Sequence, residues 1–236
     1  MHFLKELVEK WGVYPANSIN PTRIAGHQAT VFLIAQARGW ILPDWIAVPV
    51  GNGSNSSSVG KAMRTLKRLG FVEHTSRILG CQASAAAPLH SSWTKMLLAN
   101  EGTPDLDLWC NTYRAVAARD TIANAIRIGD PVSREKVMRE IIWSMGAMEV
   151  SSEVDLIAGM HACARDGYLV CPQTGVALAG IRNAVRSGVI KPGANVAVVS
   201  TATGLKFAGA YESCVLDRTE RATCASAEAV AEVLSL

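Results

Sequence analysis

Two glycines and several small polar residues stand together where a short apolar run, residues 45–50, ends. They are Gly51, Asn52, Gly53, Ser54 and Asn55. Glycine lets the backbone approach a ligand closely, and the free amide groups at a helix start favour an anion. The stretch therefore suits a phosphate, although an ordinary tight strand-to-helix turn accounts for it equally well. Its spacing is neither G-x-x-x-x-G-K-[ST] nor G-x-G-x-x-G, which argues against nucleoside triphosphate and dinucleotide sites.

A second group of small polar residues, which includes Thr201, follows another apolar run at residues 196–199. In open α/β sheets, ligands bind beyond the carboxyl ends of strands, so the strand ends at Gly51 and Thr201 are candidates to face one pocket. The alternative is that Thr201 is a simple cap at the end of a strand.

A third group places an arginine, a hydroxyl and carboxamides within seven residues. Its polar members are Asn17, Ser18, Asn20 and Arg23. A guanidinium beside a hydroxyl and amides suits the binding of a phosphate or carboxylate. Asn-Ser and Asn-Pro pairs are also common in turns, so the alternative is a plain loop with Arg23 as a surface charge.

The elements that must position these groups alternate along the chain. Short runs rich in valine, isoleucine and alanine at residues 45–50, 78–81 and 196–199 read as buried strands. Segments with helical spacing lie at residues 26–40, 59–69, 88–99, 133–145, 152–165 and 174–187. Apolar strands separated by helices predict an α/β fold, a parallel twisted sheet with helices on both faces. The alanine-rich residues 226–234 predict a terminal helix of modest stability.

The composition narrows the function classes. Hydrophobic residues are 49% and charged residues 18% of the 236, which is typical of a globular protein with a well-covered core. The net charge of +3 is spread along the chain, which argues against a nucleic-acid partner. No apolar run reaches the ~18 residues of a membrane span, and the five histidines show no metal-binding spacing, so we expect no metal site. Six cysteines without a C-x-x-C pair, and no secretory signal, indicate a reducing cytoplasmic setting.

Five collinear stretches carry a family resemblance. They are NSINPTRI at 17–24, PDWIAVPVGNGSN at 43–55, ANAIRIGDPVS at 123–133, GVALAG at 175–180 and TATGLK at 201–206. In this order and spacing the chain resembles threonine synthase, a pyridoxal-phosphate enzyme of fold type II, whose fold is like that of the tryptophan synthase β chain. The resemblance covers residues 13–207 and implies a large cofactor-binding domain over residues 1–209, with its amino-terminal part missing, and a carboxy-terminal tail over residues 210–236.

The resemblance also implies a role for each group. The residues from Gly51 to Asn55 would cradle the phosphate of pyridoxal 5'-phosphate, and Thr201 would place its hydroxyl on the pyridine nitrogen. The substrate would contact Ser18, Arg23 and Asn52, with Asn17 and Asn20 shaping the loop. The family converts O-phospho-L-homoserine and water to L-threonine and phosphate, through a Schiff base with the substrate.

One family feature is missing from the sequence. The lysine that holds the cofactor lies, in the family, in a lysine-aspartate motif upstream of the region where this chain begins. Lys61 follows the proposed phosphate loop and Lys206 belongs to the terminal motif, so neither is expected to replace it. We therefore expect the chain to be inactive alone. The expected partners are a complementing amino-terminal segment or a second copy in a homodimer. A plastid location becomes an alternative to the cytoplasm if that segment carries a transit peptide.

Two other functions remain open at this point. One is a relative on the same scaffold, such as a threonine or serine dehydratase or another synthase acting on a phosphorylated amino acid. The other is a non-catalytic domain that binds pyridoxal phosphate or a partner chain. The Asn17 to Arg23 group favours a phosphorylated substrate.

Overall fold

The computed structural model describes residues 2–18 and 20–211, together with Glu228 and Ala231. Most of the predicted terminal helix at 226–234, apart from the helical residues Glu228 and Ala231, and most of the predicted tail at 210–236 lie outside these residues. Within them, no helix is long and apolar enough to cross a lipid bilayer.

A four-stranded, fully parallel sheet forms the centre, in the order β3-β2-β1-β4. The strands are β1 (Trp45–Pro49), β2 (Arg77–Ala83), β3 (Ala147–Ser151) and β4 (Val196–Val198). The helices are α1 (His2–Trp11), α2 (Pro21–His27), α3 (Ala29–Ala37), α4 (Ser54–Arg68), α5 (Pro88–Ala99), α6 (Leu106–Thr112), α7 (Arg134–Trp143), α8 (Glu153–Arg165) and α9 (Pro172–Arg186). The predicted fold class is confirmed.

Side chains alternate between the two faces of the sheet and bury both. Ile46 and Val48 of β1 join a core formed mainly with α3 to α7, whereas Ala47 joins a second core that includes Leu156 of α8 and Val176 of α9. Strands covered on both faces read as continuous apolar runs, which is why β1 was visible in the sequence.

The carboxyl ends of β1 and β4 meet at one edge of the sheet. The two strands are neighbours and parallel, with Trp45 paired to Val196 and Ala47 to Val198. Val199 continues the contact through its N–H, which donates to the Ala47 carbonyl at 3.0 Å. The segments that follow, at Gly51 and at Thr201, therefore emerge side by side.

Candidate cofactor and substrate site

A cleft of about 650 Å³ lies beyond these two strand ends. Gly51, Asn52, Gly53, Ser54 and Asn55 line one part of it, and Thr201 lines another. The convergence that the sequence predicted is therefore present in the structure. The roles of these residues toward a ligand stay predictions.

The glycine loop is fixed by close packing and by backbone bonds. Gly51 lies against a short 3₁₀ turn, Asn124–Ile126, where an added Cβ would stand 3.1 Å from the Ile126 Cα. Gly53 has a φ of +90°, a left-handed conformation that glycine adopts without strain. The Asn52 carbonyl accepts the N–H of Ser133 at 3.0 Å, and its side-chain oxygen lies 3.4 Å from the N–H of Val132. These contacts hold the loop open toward the cleft.

Helix α4 begins at Ser54, directly at the cleft, and not at residue 59 as the helical spacing predicted. Hydroxyl groups support the early start, since Ser57 Oγ donates to the Gly53 carbonyl at 2.7 Å and Ser58 Oγ to the Asn55 carbonyl at 2.6 Å. The first turn of a helix has free N–H groups and a partial positive charge. Ser54 and Asn55 therefore belong to an anion-favouring helix start rather than to a loop.

The polar group at residues 17–23 contributes a second part of the cleft. Ser18 and Arg23 line it, and Arg23 Nη1 donates to Ser18 Oγ at 3.3 Å. Asn17 and Asn20 are not among the lining residues: the Asn17 carbonyl accepts the N–H of Asn20, and Asn20 Oδ1 caps α2 by accepting the Thr22 N–H at 2.9 Å. The asparagines thus fix the loop that carries Ser18 and Arg23.

Several lining residues were not predicted as part of the site. They are His27, Thr30, Pro49, Ala125, Ile126, Ile128, Gln173, Val199, Ser200, Ala202, Lys206 and Phe207. Gln173 and Ser200 reach the cleft because the start of α9 packs against the segment after β4. A proline at position 172 marks that helix start in the sequence, but only the fold shows where it points.

The charge of the lining fits an anionic ligand. Arg23 and Lys206 line the cleft, and among the described lining residues there is no carboxylate. Among the buried polar atoms of the lining, Ser54 Oγ and Gln173 Nε2 make no hydrogen bond within the described part of the chain. Because buried polar groups are normally paired, these atoms fit a bound ligand with acceptor oxygens.

His27 adds a titratable group beside Arg23. Arg23 Nε lies 3.5 Å from His27 Nε2. Burial lowers the pKa of His27 below 6.5, the Arg23 charge lowers it further, and a hydrogen bond to Asn55 offsets these effects only in part. The imidazole is therefore neutral at pH 7 and gains charge only in more acidic solution.

We predict a pH dependence of anion binding from this arrangement. Sulfate remains a dianion throughout, so any change in its affinity between pH 8 and pH 5 reports on the protein. Protonated His27 adds about 1 kcal/mol of attraction in a solvated cleft, which raises the affinity roughly fivefold once the pH falls below the lowered pKa of His27. Isothermal titration calorimetry with sulfate measures the affinity at each pH. His27→Gln should flatten the profile, whereas Arg23→Gln should weaken binding at every pH; an unchanged slope in His27→Gln would contradict the prediction.

Comparison with known proteins decides the family. A family model described as pyridoxal-phosphate dependent enzyme matches residues 1–202. The chain belongs to this family. Pyridoxal phosphate is the cofactor of the family, and the glycine loop, the start of α4 and the unpaired Ser54 Oγ fit its phosphate group.

Individual relatives of the family refine the comparison. The chain is 33% identical over 207 residues to threonine synthase 2, chloroplastic, from Arabidopsis thaliana, covering 88% of this chain and 38% of that protein. The crystal structure of threonine synthase from Escherichia coli matches with a TM-score of 0.63 at 20% identity, over 91% of this chain and 46% of that one. The structure of threonine deaminase isoform 2 from Solanum lycopersicum matches with a TM-score of 0.64 at 19% identity, over 90% of this chain and 56% of that one.

These matches confirm the predicted resemblance and the fold. The chain spans less than half the length of the Arabidopsis and E. coli threonine synthases that it matches. The likenesses to solved structures show the fold alone.

Proposed function

We propose that this chain is the cofactor-binding portion of a threonine synthase, which in the complete enzyme converts O-phospho-L-homoserine and water to L-threonine and phosphate. The single observation that carries the proposal is the cleft, in which a glycine loop, a helix start, Thr201 and Arg23 converge without a carboxylate among the described lining residues. The similarity to threonine synthases supports the choice within the family.

The glycine loop would hold the cofactor phosphate. The N–H groups at the start of α4 and the unpaired Ser54 Oγ would donate to phosphate oxygens, and Gly51 and Gly53 would leave room for the approach. Thr201 would lie at the pyridine nitrogen. When bound, pyridoxal phosphate supplies an electron sink for charge that develops on the carbon atoms of the amino acid.

The substrate would occupy the side of the cleft that Ser18, Arg23 and Asn52 line. A guanidinium that also donates to Ser18 Oγ keeps a hydroxyl and a cation directed to one place. This pair suits the substrate phosphate, an anion with several acceptor oxygens. Asn17 and Asn20 would act indirectly, by holding the loop and the start of α2.

Lys206 is the lysine among the described lining residues. The family resemblance assigns the cofactor-holding lysine to a motif upstream of the matched region, so Lys206 is not expected to form a covalent bond with the cofactor. Addition of pyridoxal phosphate and borohydride to the purified chain should leave no stable adduct. Peptide mass spectrometry measures this, and an adduct on Lys206 would overturn the assignment.

A complementation experiment tests the proposed activity. The chain is co-expressed with an amino-terminal threonine synthase segment that carries the Schiff-base lysine. The purified complex should release phosphate from O-phospho-L-homoserine, and Arg23→Gln should lower the rate by at least about tenfold. A folded complex that instead forms 2-oxobutanoate from L-threonine would identify a dehydratase, and one that is inert to both would favour a non-catalytic domain.

The cysteines support a reducing compartment, which we propose to be the cytoplasm or a plastid. Cys81, Cys110, Cys163 and Cys171 are free thiols in the described part of the chain. Free thiols are typical of proteins that work where disulfides do not persist.

A further inference from the structure

The start of α9 is bound to the segment that carries Thr201. Cys171 Sγ lies 3.4 Å from Thr201 Oγ1 and 3.2 Å from Thr174 Oγ1. Thr174 Oγ1 in turn accepts the Thr201 N–H at 3.3 Å. The Cys171 N–H donates to the Ala202 carbonyl at 3.2 Å, so backbone and side chains both join the two segments.

The two residues that hold Thr201 are buried, although Thr201 itself is exposed to the cleft. Cys171 is 0% and Thr174 2% exposed, and neither is among the residues that line the cleft. They therefore act on a ligand only through Thr201. Hydrogen bonds to buried partners compete less with water than exposed bonds do, so they restrict the orientation of the hydroxyl that they contact.

The protons of the network have a preferred order. Thr174 Oγ1 donates to Ser200 Oγ at 3.5 Å, which leaves its lone pairs to accept from other groups. Thr201 Oγ1 has a single proton, which goes either to the thiol of Cys171 or into the cleft. Sulfur is a weak acceptor and a pyridine nitrogen a strong one, so a protonated thiol favours a Thr201 proton that points into the cleft.

We propose that Cys171 and Thr174 are positioning residues, which hold Thr201 as a hydrogen-bond donor toward an aromatic ring nitrogen in the cleft. The inference rests on the proposed function, because it assumes that Thr201 lies at the pyridine nitrogen. The start of α9 strengthens the arrangement, since the partial positive charge of a helix start disfavours protonation of a nearby ring nitrogen. An unprotonated nitrogen needs a donor, and Thr201 supplies it.

The ionisation of Cys171 sets an upper pH limit for the hydrogen bond from Thr201 to the ring nitrogen. Burial raises the pKa of the Cys171 thiol, but hydrogen bonds from Thr174 and Thr201 outweigh burial, and the pKa is lowered from its ordinary value of 9.0. The groups that set this pKa are the hydroxyls of Thr174 and Thr201 and the backbone of Thr174 and Ala202. A thiolate is a strong acceptor and would accept a hydrogen bond from the Thr201 hydroxyl, which turns that proton away from the cleft. Binding through the ring nitrogen therefore weakens as the pH rises through the pKa of the thiol.

Two ligands without an aldehyde test the inference on the full chain, because they need no lysine. 4'-Deoxypyridoxine 5'-phosphate has the ring nitrogen and benzyl phosphate does not. Cys171→Ala should weaken 4'-deoxypyridoxine 5'-phosphate about five- to tenfold, the effect of one lost hydrogen bond, and leave benzyl phosphate unchanged. Cys171→Ser restores a side chain that can donate a proton to Thr201 Oγ1, so it should recover most of the loss. Cys163→Ala, at a half-buried free thiol of α8, is the matched control and should match the wild type with both ligands.

The ultraviolet band of bound 4'-deoxypyridoxine 5'-phosphate provides a second readout, because it reports the hydrogen bonding of the ring nitrogen. It should shift in Cys171→Ala and return in Cys171→Ser. Equal weakening of both ligands in Cys171→Ala would overturn the inference and indicate a packing role. Normal binding of both ligands by Cys171→Ala would overturn it as well. If the wild type binds neither ligand, the proposed function fails together with the inference.

Discussion

An alanine at position 53 is expected to destabilise the fold by about 2–4 kcal/mol and to lower the affinity for phosphate-bearing ligands by at least about tenfold. The φ of +90° places any other residue in a strained conformation. In addition, a Cβ would lie 2.3 Å from Val137 Cγ2 of α7, a buried side chain. The loop and α7 must move apart, which displaces the start of α4 from the cleft.

Urea denaturation and titration with 4'-deoxypyridoxine 5'-phosphate measure the two effects of Gly53→Ala. Two other glycines provide controls. Gly70 has a φ of +76° but open space around it, so Gly70→Ala isolates the backbone strain, at about 1 kcal/mol. Gly26 lies in α2 with open space, so Gly26→Ala should be neutral or slightly stabilising. Equal losses of stability in Gly53→Ala and Gly70→Ala would show that the contact with Val137 does not destabilise the fold.

The second large effect is expected at the ion pair between α4 and α7. Arg64 donates to both carboxylate oxygens of Glu140, with Nη2 2.6 Å from Oε1, and its guanidinium also lies 5.1 Å from the ring centroid of Trp143. The Glu140 side chain is 6% exposed and that of Arg64 39%. Glu140→Ala leaves a partly buried cation and a void beside Gly60, where α4 approaches the carboxylate closely. Because Arg64 regains some contact with water, we expect a loss of about 2–4 kcal/mol rather than the full cost of a buried pair.

Urea denaturation also measures this loss. The matched control is Glu6→Ala, which removes the exposed pair of Glu6 and Lys10 within α1 at 2.6 Å. Exposed pairs of this kind contribute little, so the control should change stability by at most about 0.5 kcal/mol. Similar losses in the two variants would mean that the α4–α7 pair has no special role in holding the helices together.

The strands that the sequence predicted are the ones that contain an uninterrupted apolar run. β1, β2 and β4 contain short apolar runs, whereas β3 was missed because its sequence, AMEVS, contains Glu149. Glu149 is half-buried, and burial raises the pKa of its carboxyl. A carboxylate in a strand hides the apolar pattern on which the prediction depends.

Two predicted helix boundaries differ from the observed ones, each for a local reason. The predicted helix at residues 26–40 is divided into α2 and α3 at Gln28, whose side chain donates to the Ala25 carbonyl. The start of α4 was missed because a series of serines is typical of loops. In the structure, the hydroxyls of Ser57 and Ser58 bond to backbone carbonyls one turn earlier, which satisfies them within the helix.

The candidate site was predictable where it follows the strand ends and not where it depends on packing. Gly51 to Asn55 and Thr201 follow strands, so a general rule for parallel sheets brought them together. His27 and Gln173 are single polar residues in helices, without a local signal. Their position depends on how α2 packs against α4 and α9 against the sheet, which only the fold shows.

The two ends of the cleft are held by different parts of the sheet. The glycine loop follows β1, which is held by strands on both sides, whereas Thr201 follows β4, a three-residue strand that pairs within the described chain only with β1. The phosphate of a ligand would therefore rest on the centre of the sheet, and its ring on the edge strand β4 and the contacts of Thr201 with the start of α9. Loosening those contacts should free the ring while the phosphate stays attached.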